Sequence, residues 1–299
     1  MRKSIFSLVI MTFLAAGAHA QIAKQMEERF IGQMLGNSGG TQIDLWSDGS
    51  LPQNGVDYNN LPANAIETAP KCEVFVPKSD KPVPVVIVCP GGGYMMTAIY
   101  HEGYAWRNFF ERQGIATVLL NYRMPHGNHL VPASDVYACI RYLKAHAREL
   151  NIDPNQIGVM GSSAGGHLAS TVATHATEDV RPAFQILFYP VITMDASFTH
   201  QGSREGLLGK EPSAEMVRLY SNELQVTEKT PKAFIVLAAD DSAVPPLNSA
   251  RYYAALCEKG VPAVMHVYPA GEHGFGILET FPYHAQMMLE LETWLKTIF

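Results

Sequence analysis

From residue 72 onward the chain alternates short apolar runs with segments of helical period, and this alternation constrains the fold more than any other feature. The runs are 72–76, 83–89, 115–121, 156–160, 184–189, 233–239 and 264–268. Most are nearly continuous in Val, Ile, Leu, Ala and Phe, as strands are when both faces are covered. Between them Val136, Ile140, Leu143, Ala147 and Leu150 recur at helical steps, and Tyr283, Met287, Leu291, Trp294 and Leu295 draw a similar stripe near the C-terminus. Buried strands alternating with amphipathic helices predict an α/β fold, a mostly parallel sheet with helices on both faces. The 299 residues suffice for one such domain, and 47% hydrophobic against 17% charged residues supply its core. No period of the length used by solenoids or propellers is visible.

The first twenty residues follow another rule. Arg2 and Lys3 precede an apolar run from Ile5 to Ala16, and Ala18-His19-Ala20 offers small residues where a signal peptidase reads them. The run falls short of the ~20 residues that span a bilayer. A signal peptide cleaved after Ala20, and thus a secreted or periplasmic protein without stable membrane insertion, is expected. Losing two cations moves the net charge from -6 to about -8, a sign that disfavours nucleic acid and anionic membranes as partners. Residues 21–70, rich in Gly, Asn and Pro, read as an N-terminal arm with one short strand near 43–46. Residues 190–232 interrupt the alternation as a lid-like insertion with one helical stretch at 213–219. Cys72, Cys89, Cys139 and Cys257 permit two disulfides at most, and the apolar surroundings of Cys89 and Cys139 argue for fewer.

Three segments carry chemistry. Residues 161–165 read Gly-Ser-Ser-Ala-Gly, placing Gly161 and Gly165 two positions either side of Ser163 between a strand and a helix. That is the nucleophile elbow: the strained turn brings the flanking positions together, so they carry no side chains, and lifts the serine oxygen above the sheet edge. Ser162 lacks the symmetric glycines. Upstream, Pro90-Gly91-Gly92-Gly93-Tyr94 follows a strand, and its backbone is free to turn N–H groups toward an oxyanion, donors worth roughly 2.7 to 4 kcal/mol each. Downstream, Asp240 and Asp241 stand past one strand, and Gly271-Glu272-His273-Gly274 past the next. Catalytic groups in open α/β sheets collect at the carboxyl ends of strands. Ser163, Asp241 and His273 follow the chain order nucleophile, acid, base.

Together with PGGGY at 90–94, NYR at 121–123, GSSAGGHLA at 161–169, FYPVI at 188–192, LLG at 207–209, DDSAVP at 240–245 and GEHGFG at 271–276, these segments resemble the α/β-hydrolase serine esterases. Within them the likeness is to bacterial secreted carbohydrate esterases of the acetyl xylan esterase kind. Pro90 stands where lipase-like groups carry the His of His-Gly-Gly-Gly, which weakens assignment to that subgroup and leaves the oxyanion role intact. The resemblance implies Ser163 as nucleophile, His273 as base, Asp241 as the acid that orients it, and Gly92, Gly93 and Ala164 as oxyanion donors. It also places the acid three residues before Val244, favouring Asp241 over Asp240. The implied activity is removal of small acyl groups, acetyl foremost, from a polysaccharide or its oligosaccharides.

Other readings keep the triad but change the alcohol or the bond: a feruloyl or general carboxylesterase, or a peptidase of the prolyl-oligopeptidase kind. A non-catalytic binding protein on the same scaffold is opposed by the complete triad. Tyr94, Met95 and Met96 line an acyl pocket or belong to the core. His167, one helical turn after Ser163, reads as a packed core histidine. His126 and His129 lack a third ligand at metal spacing, and with no CxxC no metal or organic cofactor is expected.

Overall fold

The computed structural model describes residues 39–45, 51–58, 60 and 70–299, so the expected leader lies outside the described residues. Residues Gly40–Phe299 form one unit around an eight-stranded sheet ordered β1-β2-β4-β3-β5-β6-β7-β8. The strands are β1 (Thr41–Ile43), β2 (Lys71–Phe75), β3 (Val83–Cys89), β4 (Ala116–Asn121), β5 (Ile152–Ser162), β6 (Phe184–Phe188), β7 (Lys232–Ala238) and β8 (Ala263–Tyr268). β1 and β2 pair antiparallel, β2 runs antiparallel to β4, and β3 to β8 are parallel. The short strand of the arm thus lies two residues earlier than the sequence suggested. β5 is longer than its apolar run because Ile152 pairs with Val83 before a register shift that accommodates Asp153, Pro154 and Asn155.

Strand β6 shows why these runs are apolar throughout. Phe184 and Phe188 share one face by the two-residue period. Phe184 packs on Trp294 of α8 (His284–Ile298), and Phe188 meets Trp106 just before α1 (Arg107–Arg112). On the other face Gln185 accepts a hydrogen bond at 3.0 Å from Tyr252 of α7 (Leu247–Glu258). Helices therefore cover both faces. The stripe at 136–150 belongs to two helices, α2 (Leu130–Ala145) and α3 (Ala147–Leu150), broken at His146, whose ring stacks on Tyr142.

The insertion holds two helices, α5 (Gln201–Leu208) and α6 (Ala214–Leu219), where the sequence suggested one. Its ends are tied to each other and to the scaffold. Asn222 N donates to Ile192 O at 3.0 Å. The buried Asn248 amide donates to Phe198 O and Pro245 O, and its oxygen accepts from Ile192 N and Thr193 N. The four cysteines are unbonded; Cys72 and Cys139 are buried with sulfurs 3.7 Å apart, well beyond the ~2.05 Å of a disulfide.

Candidate active site

Ser162 ends β5 and Ser163 opens α4 (Ser163–His175) with φ 54°, a left-handed conformation that a non-glycine residue rarely adopts. The turn is closed so tightly that a Cβ on Gly161 would stand 2.0 Å from Gly165 O, and one on Gly165 2.0 Å from Cys89 O. Those glycines are steric necessities. Because β5, β7 and β8 are parallel, the residues that follow them emerge on one edge of the sheet.

On that edge His273 Nε2 lies 2.8 Å from Ser163 Oγ, and His273 Nδ1 lies 2.7 Å from Asp241 Oδ2. The buried Asp241 carboxylate also accepts from Ala243 N at 3.0 Å and Val244 N at 2.8 Å through Oδ1. With Nδ1–H donating to the carboxylate, Nε2 is left to accept the serine hydroxyl proton. Asp240 faces elsewhere: its oxygens accept from Gly271 N at 3.2 Å and Glu272 N at 2.8 Å. Of the two adjacent carboxylates, one meets the imidazole and the other holds the loop that carries it.

The glycine run passes beside the serine. A Cβ on Gly91 would come within 2.8 Å of Ser163 Cβ, and Gly92 and Gly93 adopt φ 125° and 67°. Gly92 O accepts from Met95 N and Met96 N, which closes the loop on itself. Each residue of the run at 121–123 supports it or its surroundings. Asn121 accepts from Thr97, Tyr122 OH donates to Pro90 O at 2.8 Å, and Arg123 makes a buried bidentate pair with Asp135, Nη2 to Oδ1 at 2.6 Å and Nε to Oδ2 at 3.2 Å. Arg123 also donates to Pro52 O, which fastens the arm. Ala164 is buried in the first turn of α4, where backbone N–H groups have no intrahelical partner.

Sequence reasoning missed Glu102. This buried carboxylate accepts from Gly91 N at 2.6 Å and from Tyr189 OH at 2.8 Å, and Tyr189 Oη in turn accepts from Gly276 N at 2.9 Å. The Tyr189 ring stands edge-to-face on His273, centroids 4.7 Å apart. One acid thereby joins the glycine loop to the histidine loop. Glu102 lies in a stretch without periodicity, and nothing local marks it.

Tyr94 belongs to the core. It is 2% exposed, and its hydroxyl pairs with His167 Nδ1 at 2.9 Å. His167 Nε2 donates to Tyr220 O at 2.8 Å, and burial pushes its pKa down to about 4, so the ring is neutral. Met95 and Met96, 63% and 38% exposed, lie at the surface beside the loop. His129 packs on Tyr220, and no group of three or more His, Cys, Asp or Glu among the described residues could hold a metal. The insertion reaches the site: Val191 N donates to Ser163 O at 3.0 Å, and a Cβ on Gly206 of α5 would stand 3.1 Å from Gly93 O.

Residues 72–256 match the family model BD-FAE. The chain belongs to the BD-FAE family of α/β-hydrolase esterases. The match contains the glycine loop, Ser163 and Asp241 and ends before His273. The chain is 42% identical over 228 residues to an acetylxylan esterase of Xylanibacter ruminicola, covering 75% of this chain and 47% of that protein. It is 35% identical over 207 residues to endo-1,4-beta-xylanase B of Butyrivibrio fibrisolvens, covering 64% of this chain and 32% of that one. It therefore spans less than half the length of these two relatives. Among solved structures, the acetyl ester-xyloside bifunctional hydrolase of Caldicellulosiruptor lactoaceticus superposes with a TM-score of 0.78 at 36% identity, over 87% of this chain and 96% of that one. Fold and family thus agree with the resemblance drawn from the motifs, and no helix among the described residues is long and apolar enough to cross a membrane.

Proposed function

We propose that this BD-FAE protein is a serine esterase that removes small acyl groups, acetyl foremost, from polysaccharides or oligosaccharides such as acetylated xylan. The observation that carries the reading is the unbroken relay from Ser163 Oγ to His273 Nε2 and from His273 Nδ1 to Asp241. Ser163 Oγ attacks the ester carbonyl carbon while His273 Nε2 takes its proton. The negative charge that develops on the carbonyl oxygen is met by the N–H groups of Ala164, Gly92 and Gly93. Collapse of the tetrahedral intermediate breaks the bond to the alcohol oxygen, which receives the proton from His273, and leaves an acyl ester on Ser163. Water attacks that ester, gives a proton to His273, and the carboxylic acid departs as Ser163 is regenerated. Asp241 holds the useful tautomer and stabilises the imidazolium. Neither metal nor organic cofactor enters these steps.

The acetylxylan esterase and acetyl ester-xyloside hydrolase among the relatives support the acyl group and the sugar, and the leader pattern at residues 1–20 supports export to the periplasm or beyond. The insertion from 190 to 232, meeting the glycine loop, is read as the part that shapes specificity. The test is acetate release from acetylated xylan beside p-nitrophenyl esters of increasing chain length, with and without excess EDTA. Acetate release from the xylan, rates falling from acetyl through butyryl to longer chains, and indifference to EDTA are expected. Preference for long chains or for feruloyl esters would favour the carboxylesterase or feruloyl reading.

A further inference from the structure

His200, in the insertion, caps the N-terminus of α5 with its side chain: Nδ1 accepts from Ser203 N at 3.2 Å and stands 2.8 Å from Ser203 Oγ. An accepting Nδ1 puts the proton of the neutral ring on Nε2. Burial, followed by the charge of His273, holds the pKa below the ordinary histidine value, with Asp241 opposing, so the ring stays neutral and within the field of the reacting pair. The ring lies against the glycine loop, with Cε1 3.6 Å from where a Cβ on Gly93 would stand. Nε2, bonded to that carbon, has no protein hydrogen-bond partner among the described residues. A fixed donor is therefore held beside the glycine loop, half-buried and without a protein partner among the described residues. Such a group is costly to leave unpaired once a substrate excludes water from it.

We propose that His200 reads the alcohol half of the ester, its Nε2–H donating to a hydroxyl or ring oxygen next to the acylated carbon, so that the site selects carbohydrate esters over aryl and alkyl esters. The inference rests on the esterase reading above and specifies its substrate. His273 returns its proton to the departing alcohol oxygen, so the alcohol lies on the His273 side, where the field of that pair reaches His200. A sugar offers an oxygen acceptor on the carbon adjoining the ester, whereas p-nitrophenol offers none there.

The test is His200→Asn in the full-length protein. Asn is among the strongest helix caps, so it keeps an acceptor for Ser203 N, while its shorter amide does not reach the site. Steady-state kinetics are measured on a monoacetylated methyl xyloside and on p-nitrophenyl acetate, with the melting temperature as a check on the cap. Loss of one hydrogen bond lowers kcat/KM on the sugar ester about tenfold, mainly through KM, and at least about fivefold more than on p-nitrophenyl acetate. His200→Gln, which carries a donor farther out, recovers part of the difference. Equal losses on the two substrates, or a loss confined to kcat, overturn the role of His200 alone. Failure of the wild type to release acetate from the sugar ester, with p-nitrophenyl acetate still turned over, overturns the sugar substrate and the role of His200 with it.

Discussion

Neighbouring residues of one chemical type do different work here, and Asp240 and Asp241 show it. Both carboxylates leave β7 together, yet only Asp241 meets His273 Nδ1, while Asp240 accepts two backbone N–H groups of the histidine loop. Asp241→Asn is expected to lower kcat by about 10³ to 10⁴, because an amide in that place stabilises the wrong tautomer. Asp240→Asn, which keeps an oxygen acceptor for the loop, is expected to cost about tenfold or less. Equal losses or the reverse order would contradict the assignment. That Ser163, an acid after β7 and His273 come together was legible in the sequence because glycine sterics and strand ends leave local marks, and the family resemblance singled out Asp241. Glu102 and His200 were not, since each acquires its place only when segments distant in the chain come together. Tyr94 was ambiguous for a related reason: beside a glycine loop an aromatic residue can face either way, and the His167 hydrogen bond that turns it inward is a tertiary fact.

Among the elements, the strands were legible, and of the two helices in the insertion α6 was and α5 was not. An apolar run covered on both faces announces a strand, but α5 is only eight residues long and contains Gly202 and Gly206, poor helix formers. A Cβ at Gly206 would stand 3.1 Å from Gly93 O and from Tyr94 Cβ, a close approach invisible in the local sequence. β1 and the arm gave weak signals for a similar reason, being fixed by pairing with β2 and by Arg123 reaching Pro52. The clamp on the insertion is testable. Asn248→Ala removes four hydrogen bonds and leaves the N–H groups of Ile192 and Thr193 without their acceptor. A destabilisation of about 2 kcal/mol or more is expected in urea unfolding, with faster proteolytic cleavage inside 194–221 than elsewhere. An unchanged midpoint and unchanged cleavage would show that the insertion is held by packing alone.

At the scale of the molecule, α4 with its buried His167 links the glycine loop through Tyr94 to the insertion through Tyr220, so that one neutral imidazole joins three parts of the fold. Its folded pKa of about 4 lies below the unfolded value of about 6.5, so the unfolded chain binds the extra proton first as pH falls. Stability is therefore full above pH 6.5 and declines as pH falls through 4, by on the order of 3 kcal/mol from this group. Urea titrations at pH 7 and pH 4 should show a steeper loss in the wild type than in His167→Gln, which keeps an acceptor and a donor but does not titrate in this range. Parallel losses would remove His167 from the account. The parallel sheet matters because it delivers Ser163, Asp241 and His273 to one edge from three strands, and the central claim is that Ser163 at that edge is the nucleophile. The direct measurement is the intact mass and peptide map of the protein after reaction with a fluorophosphonate, which phosphonylates an activated serine. One adduct per chain, on the peptide containing Ser163, formed in step with loss of p-nitrophenyl acetate hydrolysis and absent from Ser163→Ala, is the predicted result. Labelling at another residue, or a Ser163→Ala protein that keeps a tenth of wild-type turnover, would contradict it.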